Sequence, residues 1–129
     1  MNAARLEHVN VTVSDIDRTT AMLCNLFGWK VRWRGDAING GETAHVGRDD
    51  EYVAIYQPGA INAPKDNNYV TKGGLNHIAV VVCDIDAMEQ DVVNAGYKPV
   101  NHGNYEPGRR FYFHDHDGIE FEIVSYDQD

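Results

Sequence analysis

Leu6-Glu7-His8-Val9-Asn10-Val11-Thr12-Val13-Ser14-Asp15-Ile16-Asp17 returns sixty-nine residues later as Leu75-Asn76-His77-Ile78-Ala79-Val80-Val81-Val82-Cys83-Asp84-Ile85-Asp86. Leu, His, the apolar alternates and the Asp-Ile-Asp ending all recur. Self-similarity of this length signals two copies of one supersecondary unit. Within the first copy Val9, Val11 and Val13 share one face of a strand, and His8, Asn10 and Thr12 share the other. Each copy therefore opens on a half-buried strand with a histidine on its polar face.

The rest of each copy follows from its punctuation. Asp15 or Asp17 caps a helix running to about Phe27, where Gly28 ends it. Met22, Leu23, Leu26 and Phe27 supply its apolar stripe. Trp29–Arg34 alternates as a strand, Asn39-Gly40-Gly41 reads as a turn, and strands follow at about 42–47 and 51–57. The first module is thus β-α-β-β-β over about 5–57. Residues 58–74, rich in Pro, Gly, Asn and Lys, read as a connector. The second module, about 75–126, repeats the order. Its strand at 75–82 is followed by a helix at about 85–95 that ends at Gly96, and then by a strand from Tyr97 to about His102. After a loop from Gly103 to Gly108, strands at about 109–114 and 119–126 complete it. The fold class is α+β, two tandem βαβββ modules in one domain over residues 1–129.

The composition narrows the function. With 43% apolar and 24% charged residues the chain has the balance of a soluble globular protein. Its formal net charge of −9, without clustered Lys and Arg, excludes nucleic acid as the expected partner. No apolar run spans a bilayer, and no apolar signal segment follows Met1–Arg5, so a cytoplasmic location is expected, with no membrane partner. Cys24 and Cys83 read as free thiols that serve as small buried apolar residues.

Glu122 is the residue that needs a reason. It sits in the last strand between Phe121 and Ile123, which point the opposite way. Either its face is exposed or it looks onto a cavity that holds a cation. If the modules pair by pseudo-twofold symmetry, His8 and His77 point into one cleft with Glu122. Two imidazoles and one carboxylate with open positions form the ligand set of non-haem Fe(II) sites, and Mn(II) also fits. The expected cofactor is one divalent ion, Fe(II) or Mn(II) before Zn or Ni, and the expected partner is a small-molecule substrate.

The chain resembles the vicinal oxygen chelate superfamily, which holds glyoxalase I, bleomycin-resistance proteins, fosfomycin-resistance transferases and extradiol dioxygenases. The carriers are Leu-x-His-Val-x-Val-x-Val at 6–13, its copy at 75–82, and Phe111-Tyr112-Phe113-His114-Asp115-His116-Asp117-Gly118-Ile119-Glu120-Phe121-Glu122. In the last of these, His116 replaces the usual Pro. The resemblance implies paired modules forming a curved mixed sheet around a metal cleft, commonly in a homodimer. It also implies that glyoxalase I chemistry is disfavoured. That branch has a fourth ligand, a Glu in the last strand of the first module, where this chain has Ala54. Glu51 is near the strand end with the wrong parity.

Extradiol dioxygenases use His, His and Glu alone, with an upstream His and a Tyr assisting acid–base steps. Here His102 and Tyr112 match those positions, as catalytic residues implied by the resemblance. The expected function is dioxygenation of a small oxygenated substrate. The alternatives are a non-catalytic binder of the bleomycin-resistance kind and a thiol transferase of the fosfomycin-resistance kind. Arg109 and Arg110 are candidates for binding an anion, although no serine-rich loop accompanies them. His114 shares parity with Arg110 and Tyr112 and is placed to line the cleft. Tyr52 and Tyr56, on the parity of Ala54, form either cleft walls or an ordinary aromatic face.

Overall fold

The computed structural model describes residues 2–126. Strand β1 (His8–Thr12) gives way to α1 (Ile16–Phe27) at Asp15. In extended backbone, Asp15 accepts the Arg18 N–H at 3.1 Å and satisfies one of the orphan donors of the first turn. Ile16 N–H donates to Gln57 Oε1 at 2.8 Å, tying the helix start to the module's last strand. Gly28, with φ 69°, closes the helix in the left-handed conformation. Strands β2 (Lys30–Asp36), β3 (Glu42–Gly47) and β4 (Tyr52–Gln57) complete the module, with a short 3₁₀ turn at Ile38–Gly40.

The second module repeats these devices. β5 (Ile78–Val81) leads through Asp84, which accepts the Ala87 N–H at 3.0 Å, into α2 (Ile85–Asn94). β6 (Val100–Tyr105), β7 (Gly108–His114) and β8 (Glu120–Ser125) follow. The expected βαβββ order therefore holds twice. Each module closes its own four-stranded mixed sheet, ordered β1-β4-β3-β2 and β5-β8-β7-β6. The last strand of each module lies parallel to the first and antiparallel to the third. The chain divides into two compact units, Met1–Ala63 and Pro64–Asp129.

Burial follows strand parity. In the first unit Val13, Leu23, Val46 and Ile55 are fully buried where α1 covers its sheet. In the second, Phe111, Phe113, Phe121 and Ile123 form the core, with the Phe113 and Phe121 rings stacked at 5.3 Å. Burying each such side chain contributes roughly 1.5–3 kcal/mol. The opposite sheet face of the second unit carries Arg110, Tyr112, His114, Glu120 and Glu122, because Tyr112 pairs with Glu122 and His114 with Glu120 across β7 and β8.

Two expectations need correction. Cys24 is half-buried and Cys83 is exposed, so neither is the buried residue expected. Gly103–Gly108 is not a loop: β6 runs to Tyr105 and turns at once into β7. The pairing shifts register between Val100 and Gly103, with Asn101 in the left-handed region at φ 55°. Such a bulge lets a strand continue past a kink that sequence periodicity cannot reveal.

The β7–β8 turn hangs on Asp115, whose Oδ1 accepts the N–H groups of Asp117 and Ile119, each at 2.9 Å. Its Oδ2 is buried without a partner, and burial pushes the carboxyl above its ordinary value of 3.8. The folded state then holds this proton more tightly than the unfolded chain, so the charge costs stability as pH rises through that range. Asp115→Asn keeps an acceptor and removes the charge. Melting temperatures should show the variant gaining on wild type between pH 4 and pH 7; a pH-independent difference would refute the assignment.

Candidate functional site

The second unit brings His77 and Glu122 together. Glu122 projects from β8 away from the phenylalanine core and is 7% exposed. A buried carboxylate is costly unless paired. Two groups meet it, one at each oxygen. His77 Nε2 lies 3.0 Å from Oε1, and Arg110 Nη1 donates to Oε2 at 2.9 Å. The His77 ring meets the Tyr112 ring edge-on at 5.7 Å, and its buried Nδ1 has no hydrogen-bond partner. Burial, reinforced by the Glu122 charge, pushes the Tyr112 phenol above its ordinary value of 10, so it keeps its proton at neutral pH and serves as a donor.

Glu120 lies two residues before Glu122 on the same face. His114 Nε2 sits 3.2 Å from its Oε1, and His77 Nδ1 sits 3.8 Å from its Oε2. The Tyr69 hydroxyl, from the turn held by Asn67, donates to that Oε2. Sequence reasoning singles out Glu122 and gives Glu120 no role; their shared parity is the signal for it.

Arg110 is held from a further side. The Tyr105 ring lies under its guanidinium, 5.1 Å from centroid to Cζ. Gly103 makes room for this: a Cβ there would come within 2.6 Å of Tyr105 Cε1 and 3.4 Å of Arg110 Cγ.

His102 is placed elsewhere. Its Nε2 lies 2.9 Å from Glu89 Oε2 on α2, and its ring stacks on the core residue Phe111 at 5.9 Å. Val100 pairs with Tyr112, so simple alternation would put His102 on the Tyr112 face. The bulge at Asn101 aligns Gly103 with Arg110 instead, and this turns His102 to the helix side. There it lines a groove of about 240 Å³ with Ile85, Glu89, Asn104 and Phe111.

The first unit presents a different surface at the equivalent positions. His8 Nδ1 lies 2.9 Å from Glu7 Oε1, and Tyr52 donates to the same oxygen at 3.3 Å. The Tyr52 ring stacks with His8 at 4.7 Å and with His45 at 4.6 Å, and Arg32 Cζ sits 4.4 Å from its centroid. Burial, aided by the His8 and Arg32 charges, pushes His45 below its ordinary value of 6.5, which favours the neutral ring. Beside it, Asn10, Ala37, Ile38, Thr43 and Tyr56 line a cavity of about 340 Å³. Asn10 pairs with Ala54 in β1–β4 as Ala79 pairs with Glu122 in β5–β8. Ala54 therefore holds the place in its sheet that Glu122 holds in the other, and offers no donor. Glu51 lies outside β4 and pairs with Arg48 at 3.6 Å.

A model for the Glyoxalase/Bleomycin resistance protein/Dioxygenase superfamily matches residues 5–123. The chain belongs to this superfamily. Among solved structures it is similar to the glyoxylase/bleomycin resistance protein/dioxygenase domain from Frankia sp. EAN1pec, with TM-score 0.80 and 22% identity over 96% of this chain and 98% of that one. It is also similar to the fosfomycin resistance protein FosX from Listeria monocytogenes complexed with Mn(II) and sulfate ion (TM-score 0.75, 20% identity, 98% and 96% coverage). FosX from Mesorhizobium loti gives TM-score 0.72 and 24% identity over 95% and 92%. At these identities the likeness shows the superfamily fold. No curated protein matches the sequence. Among the described residues no helix is long and apolar enough to cross a membrane.

Members of the superfamily bind a divalent metal, as the FosX–Mn(II) complex shows for that protein. Here the donor chemistry fits on the second unit. His77 Nε2 and Glu122 Oε1 face one another at 3.0 Å, so a nitrogen and a carboxylate oxygen of the kinds that would hold a divalent ion already meet there. Arg110 on Oε2 is the kind of outer partner that orients a ligating carboxylate. Among the described residues, no three His, Cys, Asp or Glu side chains are grouped as a metal needs.

Tyr69 gives a test of this packing. Its hydrogen bond to Glu120, with burial adding, pushes the phenol up to about 12. Glu120→Ala removes both the acceptor and its charge, so the Tyr69 ring carbon followed by NMR should titrate markedly closer to 10. An unshifted titration would mean the contact does not form.

Proposed function

We propose that this chain is a metal-dependent enzyme acting on a small oxygenated substrate, with His8, His77 and Glu122 holding one divalent ion. The observation that carries the reading is the buried Glu122 carboxylate, with one oxygen at His77 Nε2 and the other on Arg110. A divalent ion at such a nitrogen–carboxylate set supplies Lewis acidity and a template for substrate oxygens, and Fe(II) or Mn(II) suits it. Arg110 keeps Glu122 Oε1 turned toward His77, and Glu7 engages His8 Nδ1, which would leave Nε2 as the nitrogen to hold the ion. Tyr112, protonated at neutral pH, donates a hydrogen bond to a substrate oxygen. Dioxygenation is the reaction class that a His-His-Glu set with open positions serves best.

A second reading follows from the place of His102. Its ring is committed to Glu89 and Phe111, so the Glu122 face lacks the imidazole that ring-cleaving relatives use in proton transfer. That favours a Lewis-acid reaction in which water or a thiol adds to an electrophilic substrate. A glutamate-to-glutamine mutant of FosX from Listeria monocytogenes, solved with Mn(II) and 1S,2S-dihydroxypropylphosphonic acid, holds a vicinal diol of the kind that addition of water to an epoxide yields, which supports this reading.

Protein purified anaerobically should carry near-stoichiometric Fe or Mn by mass spectrometry, and His77→Ala should carry neither. Full occupancy in His77→Ala would sink the metal assignment. Oxygen uptake by the Fe(II) form with catechols then supports dioxygenation, whereas anaerobic turnover of an epoxide by the Mn(II) form supports the second reading. An empty wild-type site with no thermal stabilisation by Fe, Mn, Zn or Ni would leave a ligand-binding protein.

A further inference from the structure

Arg110 carries more donors than its known partners use. A guanidinium has five N–H groups in a planar fork. Nη1 is engaged by Glu122, and the face of the group rests on Tyr105. Nε and Nη2 are both buried and make no hydrogen bond of normal geometry to any protein group. These two atoms form the side-on edge of the fork, whose parallel N–H bonds match the two oxygens of a carboxylate or phosphoryl group. A buried donor without a partner is expensive, and such groups mark places where a ligand supplies what the protein does not.

The setting holds that edge in place. The Arg110 side chain is 16% exposed, fixed at one end by the Glu122 ion pair and along its face by a ring that Gly103 admits. Tyr112, two residues along β7 on the same face, sets its phenol against the guanidinium, close enough for a hydrogen-bond contact as well as for the Arg110 charge to act on it. A preorganised guanidinium edge beside a protonated phenol is a receptor for an oxyanion, and it adjoins Glu122 directly.

We propose that Arg110 is the specificity residue of this site and that the substrate carries an oxyanion, carboxylate or phosphoryl, bound side-on through Nε and Nη2. This rests on the reading of the Glu122 face as the substrate side. It also separates two jobs within one side chain: Nη1 orients Glu122, and the opposite edge selects the ligand.

The test uses benzoate and phenylphosphonate as probes in calorimetric titration of the whole protein, with and without Mn(II). Wild type should bind at least one probe at millimolar concentration, and the preferred probe identifies the oxyanion class. Arg110→Lys keeps a charge for Glu122 but loses the fork, and should weaken binding about tenfold; Arg110→Gln should weaken it roughly ten- to hundredfold. Melting curves establish that each variant is folded. In wild type the Arg110 Nε–H resonance should also shift on probe addition, a readout that needs no substitution. Metal-free wild type, prepared by chelation, separates this proposal from the metal assignment. It should still bind the probe and still lose that binding in Arg110→Gln; a probe that binds only when Mn(II) is present, and equally well in Arg110→Gln, would place the oxyanion on the metal and overturn the proposal. Absence of probe binding by wild type, or affinity unchanged in both Arg110 variants, would overturn the proposal.

Discussion

A buried carboxylate has to be matched in charge and in hydrogen bonds, and the Glu122 face of the second module is arranged around that demand. Arg110 answers at one oxygen and His77 at the other. Arg110 in turn requires the Tyr105 ring under it, Tyr105 requires the missing Cβ of Gly103, and the β6 bulge sets Gly103 opposite Arg110. Glu120 repeats the problem one pleat away and is answered by His114 and Tyr69. Removing one partner from such a network leaves a charge stranded, so these side chains depend on one another more than on the rest of the sheet.

The two modules descend through one pattern and have diverged in chemistry. Asp15 and Asp84 cap their helices identically, and each module's last strand runs back parallel to its first. At the equivalent of Glu122 the first module has Ala54, and around it lie Tyr52, His45 and His8 in ring contact. One module carries carboxylates and a guanidinium; the other carries aromatic rings, an anchored imidazole and a cavity lined by Asn10, Thr43 and Tyr56. Membership of the superfamily fits this economy, in which one scaffold serves several chemistries through a few positions on one sheet face.

Most of the fold was legible because it rests on signals with a period or a fixed residue type. Valine alternation gave β1, Gly28 gave the end of α1, and the parity of Phe121 and Ile123 against Glu122 gave the core and its opposite face. The nearness of His77 to Glu122 was legible from the same parity. The position of His102 was not. A bulge adds one residue to one strand, leaves no mark in hydrophobic periodicity, and reverses every side chain beyond it until register recovers. Arg110 was legible only as one of two candidates, with Arg109, for binding an anion; that one edge of it is committed and the other buried unpaired is a matter of packing.

The proposed metal site stands on its ligand set, two imidazoles and one carboxylate on a single ion. Pulsed electron paramagnetic resonance of the Mn(II)-loaded protein reads it directly through nitrogen couplings to the metal. Two histidine nitrogens are expected in wild type, one in His8→Ala, and both retained in His102→Ala. A single coupling in wild type, or a spectrum unaltered by His8→Ala, would contradict it.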